Sequence, residues 1–109
     1  MARWALPQLR DLAKADSEAR PSFLVTSSLL PKDPIPDLFS LSMVKAAQRN
    51  LVQSLSKEWS HHGIHIGMVV VGGAVDVSAE TLNPPNIASH AWELFNEPGS
   101  AQSFEVEVL

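Results

Sequence analysis

The longest periodic stretch of the chain is LFSLSMVKAAQRNLVQSLSKEWSHHG, residues 38–63. At 3.6 residues per turn, Leu41, Val44, Gln48, Leu51, Val52, Leu55 and Trp59 fall on one stripe, while Asn50, Gln53 and Lys57 fall opposite. This pattern predicts one long amphipathic helix whose stripe is its core face. Two short apolar runs flank it. Upstream, SFLVTSSLL is nearly continuous and rich in aromatic and β-branched residues, which predicts a strand over residues 22–27 covered on both faces. Downstream, GIHIGMVVVGG predicts a second strand over residues 64–71. Strand, long helix and strand in that order form a βαβ unit, in which the two strands lie parallel and the crossover is right-handed.

The remaining pattern extends this arrangement in both directions. Trp4, Ala5, Leu9, Leu12 and Ala13 recur at helical spacing within residues 1–15, and Pro7 sets the start of the well-formed part. DSEARP is a polar connection, and PKDPIP is a stiff loop whose prolines bar helix and central strand. Asp37 is the expected N-cap of the long helix and Gly63 its expected end. After a loop over residues 74–83, Pro84 and Pro85 start a helix over 86–96, with Ile87, Ala91, Trp92 and Phe95 on one side. EPGS, residues 97–100, is a turn. From 104 to 109 the chain alternates, placing Phe104, Val106 and Val108 inward and Glu105 and Glu107 outward, where they blunt a sheet edge.

Composition narrows the function classes. With 109 residues, 45% of them hydrophobic, and a net charge of -4, the chain suits one small domain and lacks the basic balance of a nucleic-acid binder. The absence of cysteine excludes disulfide scaffolds and thiolate metal sites. No run of eighteen apolar residues and no signal-peptide pattern occurs, so the expectation is a cytoplasmic protein without a membrane partner. His61 and His65 are four apart, but a helix end at Gly63 separates them and no acidic ligand accompanies them, so no metal site is expected.

Three positions carry candidate chemistry. Ser27 and Ser28 end the first strand, where open α/β sheets place their ligands, although two serines there also suit an ordinary turn or cap. Lys45 borders the apolar stripe, where a lysine either snorkels to water or serves a site. Gly72 and Gly73 supply a turn without Cβ atoms at the end of the second strand.

The order of these features resembles the carboxyl half of the short-chain dehydrogenase/reductase family, with LSMVKAAQRNLVQSLSKE the most specific piece. The likeness runs over nearly the whole chain. It implies an α/β fold, the carboxyl half of a Rossmann-like doubly wound parallel sheet with about three strands and flanking helices. Residues 1–109 then form a single partial domain lacking the amino-terminal dinucleotide-binding half, and the first strand has an unpaired outer edge.

The same resemblance implies roles for particular residues. Ser28 matches the catalytic serine, Lys45 matches the lysine that holds the nicotinamide ribose, and Gly73 lies in the loop that passes the nicotinamide. It further implies NAD or NADP as cofactor and a small-molecule carbonyl or alcohol as substrate. The catalytic tyrosine should stand four residues before the lysine, where this chain has Leu41, and the chain contains no tyrosine. Since leucine has no proton to give, the family's usual acid–base step lacks its donor. The implied alternatives are a non-catalytic partner that pairs with a complete relative, as a homo- or hetero-oligomer through the long helix, or an inactive truncated product.

Overall fold

In the computed structural model, which describes residues 1–99 and 101–109, the chain is built around one deeply buried strand. That strand is β2, His65–Val71, and six of its seven residues are buried. On one side it pairs with β1, Ser22–Ser28, from Ser22 opposite His65 to Ser28 opposite Val71. On the other it pairs with β3, Glu105–Val108, from Met68 opposite Glu105 to Val71 opposite Val108. Both pairings are parallel and the order is β1-β2-β3, the α/β arrangement expected from the sequence.

Successive side chains of β2 enter two different cores, as the two-residue period of a strand requires. Ile66, Met68 and Val70 meet Leu6 of α1, Ala2–Ala15, and Val52 of α2, Phe39–Trp59. Val69 meets Leu94 of α3, Pro84–Phe95, and Val108 of β3, with Ile87 and Ala91 packed around them. Coverage on both faces is why this strand tolerates no outward polar position. Close packing also explains Gly67, where an added Cβ would lie 2.7 Å from the Phe104 carbonyl oxygen.

The helices differ from the expected faces. In α2 the buried residues are Ser42 and Val52, with Lys45, Arg49 and Ser56 half-buried on the same side. Leu41, Val44 and Leu51, expected in the core, are 44%, 64% and 56% exposed. The side turned inward is the one from which Arg49 reaches across to Glu105 of β3. In α1, Leu6 is the buried residue and Trp4 lies outside. Pro7 falls inside this helix instead of opening it, removing one amide donor from a helix that Leu6 anchors to the core. Asp37 does not cap α2; a 3-10 turn over Pro36–Leu38 leads into it, and no side chain bonds the helix end.

Other ends follow the expected chemistry. A 3-10 turn, Ser60–His62, closes α2, and Gly63 stops it at φ 82°, a left-handed conformation that suits glycine. α3 begins two residues earlier than expected, because Asn83 accepts a hydrogen bond from the Asn86 amide and caps it. Trp92 and Phe95 stack on each other at 5.3 Å outside the core. The turn expected over residues 97–100 ends on Ser100, which lies outside the described residues.

The glutamates of β3 are not free edge charges. Lys32 donates to Glu107 at 3.0 Å and also to Glu105, and Arg49 donates to the two Glu105 oxygens at 3.2 and 3.3 Å. Loop, helix and strand are thereby tied across the sheet. Among the described residues the outer edge of β1 carries no strand.

Candidate active site

The site begins where β1 and β2 end together. Phe23 and Val25 face α2 and Leu24 faces α3, so alternation assigns Ser27 to the α2 side and Ser28 to the other. Ser27 is buried and its Oγ has no hydrogen-bond partner. Ser28 Oγ accepts the Leu30 amide at 3.3 Å, which leaves its own proton free to donate. Because Ser28 is in register with Val71, Gly72 and Gly73 emerge directly beside it.

Neither glycine has positive φ; each is small because the surroundings are tight. A Cβ on Gly72 would lie 2.7 Å from Leu109 Cδ2, and the Gly72 amide donates to the Val108 carbonyl at 2.8 Å. A Cβ on Gly73 would lie 3.0 Å from Leu82 Cδ1. Together with Leu30, Asp33 and Leu38, Ser28 and Gly73 wall a cavity of about 330 Å³. This is the carboxyl end of a parallel sheet, where α/β folds bind ligands.

Ser28 and Gly73 are thus brought together, and Lys45 and Leu41 are not. Lys45 is half-buried and donates to Gln48 Oε1 at 3.4 Å, and neither it nor Leu41 lines the cavity. Asp33 is the residue that the sequence pattern does not single out. It lies in the proline-rich loop and brings a carboxylate to the wall.

Charge fixes that loop. The Lys32 and Asp33 amides both donate to the Leu29 carbonyl, at 2.9 and 2.7 Å, and the Lys32 ammonium is held by Glu105 and Glu107. The hydrogen bonds to Glu105 and then Glu107 raise the Lys32 pKa above its ordinary value, despite some desolvation. Burial pushes Glu105 up, but its hydrogen bond to Lys32 and the nearby Arg49 charge outweigh that and hold it below the usual range.

The two histidines weighed as ligands are separated. His61 is exposed in the turn before Gly63, while His65 is buried with Nε2 2.7 Å from the Ser103 carbonyl oxygen. No cluster of three or more candidate metal ligands occurs among the described residues. No helix among the described residues is long and apolar enough to cross a membrane.

The sequence matches no family model and no curated protein. Solved structures do match. A short-chain dehydrogenase from Rhodopseudomonas palustris superimposes with a TM-score of 0.71 at 20% identity, over 99% of this chain and 42% of that one. An NADPH-bound short chain oxidoreductase from Pseudomonas aeruginosa PAO1, described as containing an atypical catalytic center, gives 0.74 at 21% identity over 98% and 49%. An NADH-dependent reductase complexed with NAD gives 0.73 at 21% over 99% and 46%. The chain spans less than half the length of each. It therefore has the α/β fold of part of a short-chain dehydrogenase.

Proposed function

We propose that the chain is the carboxyl part of a short-chain oxidoreductase acting on the carbonyl or alcohol of a small metabolite with NAD or NADP. The observation that carries this reading is the meeting of Ser28 and Gly73 in one cavity at the carboxyl end of the parallel sheet. The described residues fit the nicotinamide end of such a cofactor: the cavity is compact and Gly73 contributes no side chain to it. They include no glycine-rich fingerprint for a pyrophosphate. Gly73 would face the nicotinamide, and the ribose would extend beyond the cavity wall toward Lys45, which lies outside it. When bound, this group supplies or accepts the hydride.

The chain's own residues contribute orientation and polarisation. The Ser28 hydroxyl donates to the substrate oxygen while its lone pair remains engaged by the Leu30 amide. Such a donor, fixed before reaction, favours negative charge growing on that oxygen. Apolar Leu30 and Leu38 line the same cavity. Leu41 transfers no proton, so an active enzyme takes the proton from another donor.

Titration of the chain with NADH and NADPH, followed by nicotinamide fluorescence, tests the reading. Saturable binding is expected, with Lys45→Ala weakening it roughly ten- to hundredfold, the effect of losing a hydrogen bond to a charged group. Affinity unchanged by that substitution would sink the assignment of Lys45. A second reading, a non-catalytic partner that forms homo- or hetero-oligomers through α2, is favoured by the outward apolar stripe of Leu41, Val44 and Leu51.

A further inference from the structure

Among the described residues that wall the Ser28 cavity, Asp33 alone carries a charge. Its neighbours there are apolar Leu30, Ile35 and Leu38 and the glycines that follow β2. Among the described residues its carboxylate makes no ion pair. The hydrogen bond at this position is made by the Asp33 amide, to the Leu29 carbonyl at 2.7 Å.

Three observations make this carboxylate more than one further surface charge. First, its backbone is held in place: the amide bond fixes one side, and Pro34 restricts the residue before it on the other. Second, the cation next to it in the chain is engaged elsewhere. The Lys32 ammonium donates to Glu105 and to Glu107, so two carboxylates of β3 neutralise it and Asp33 keeps its full charge. Third, the Ser28 Oγ accepts the Leu30 amide and retains a proton to donate. One cavity therefore offers a neutral donor and a negatively charged acceptor, joined by apolar wall.

We propose that Asp33 is the specificity residue of this cavity and selects a substrate that carries an ammonium group near its alcohol or carbonyl, an amino alcohol or amino ketone. The substrate oxygen accepts from Ser28, the ammonium donates to Asp33, and the apolar part lies against Leu30 and Leu38. An anionic substrate is rejected, because it brings a like charge to a carboxylate that no neighbouring cation offsets. The inference rests on the oxidoreductase reading for the role of Ser28, and it concerns binding alone, with no bond-making step added.

Phenylethanolamine, styrene glycol and mandelate share one aromatic alcohol and differ in bearing a positive, a neutral and a negative group. Their binding is followed by NMR through the methyl resonances of Leu30, Val71 and Ala74. Phenylethanolamine is expected to bind about two- to fivefold tighter than styrene glycol, the effect of an ion pair screened by solvent at exposed Asp33, with mandelate weakest. Asp33→Asn is expected to bring phenylethanolamine to the level of styrene glycol, with styrene glycol and the melting temperature unchanged, because the carboxylate has no internal partner to lose. Ser28→Ala is expected to weaken both alike. Asp37→Asn, a carboxylate lost outside the cavity, is expected to keep the preference. No saturable shift, equal affinity for the positive and neutral probes, or a preference that survives Asp33→Asn would overturn the proposal. So would shifts confined to Met43 and Ala46 of α2, or an equal loss in Asp37→Asn, which makes the preference a property of the net charge. Nicotinamide fluorescence on the same samples keeps the two readings apart. NADH bound without the charge preference removes the role of Asp33 alone, whereas the preference without NADH binding removes the oxidoreductase reading and leaves a cation site at Asp33.

Discussion

Glu105 reads in the sequence as one outward member of an alternating strand, and Arg49 as one polar residue of a helix. Neither position predicts that their charges meet, because 56 residues separate them. Once they meet, Glu105 has a folded pKa below its unfolded value, so its contribution to stability is present above the unfolded pKa of about 4.3. That contribution is lost as pH falls through the lower, folded pKa. Lys32 has the opposite sign: its raised pKa makes its contribution available below about 10.4 and lost as pH rises through the folded value. Because both groups are partly exposed, less than about 1 kcal/mol is expected from the pair. Glu105→Gln should flatten the decline of the urea midpoint between about pH 5 and 3; a decline as steep as in the unaltered chain would remove Glu105 as its cause. At this scale the place of Ser28 at the end of a strand was legible from the apolar run before it. Asp33 was not, since its place in the wall depends on how Lys32 draws the loop over the sheet.

At the scale of elements, the existence and type of the three α-helices and three strands followed from period and breakers, but the 3-10 turns at the two ends of α2 and the rotation of that helix did not. Its stripe contains more apolar residues than the sheet can cover. Position 52 touches the core and its neighbour Leu51 does not. Val52→Ala is therefore expected to cost about 2 kcal/mol of unfolding free energy, and Leu51→Ala less than about 0.5 kcal/mol, in denaturant titrations. Leu51→Asp separates packing from assembly. If α2 docks on a partner, this substitution lowers the associated fraction in light scattering with the fold retained; equal association would exclude Leu51 from an interface. Pro7 carries a similar lesson. A proline marks a helix start by propensity, but contacts made by Leu6 keep the preceding turn helical.

The whole molecule is more extended than a closed domain. Its radius of gyration is 15.0 Å, against about 13 Å for a compact domain of this length. At this scale the edge of β1 is also bare among the described residues. The Pro21 carbonyl accepts the His65 amide, so by alternation the peptide groups of Phe23, Val25 and Ser27 point toward β2 and those of Leu24 and Thr26 point away. An apolar strand with unpaired donors and acceptors is a template for another strand. Thr26→Pro removes one outward donor without touching the ladder to β2, and proline is tolerated on an edge. Concentration-dependent association is expected by light scattering, reduced several-fold in Thr26→Pro; association at the unaltered level would place the contact elsewhere.

Period, breakers and strand-end position, all local properties, were enough to specify three parallel strands, their helices, the Gly63 stop and the Ser28 corner. The local pattern counts apolar residues but does not say which of them find a neighbour. Tertiary packing therefore decided which face of α2 is buried, which charges pair across the sheet, and that Ser28 meets Gly73 while Lys45 stands apart. Each of those outcomes depends on contacts between residues far apart in the chain.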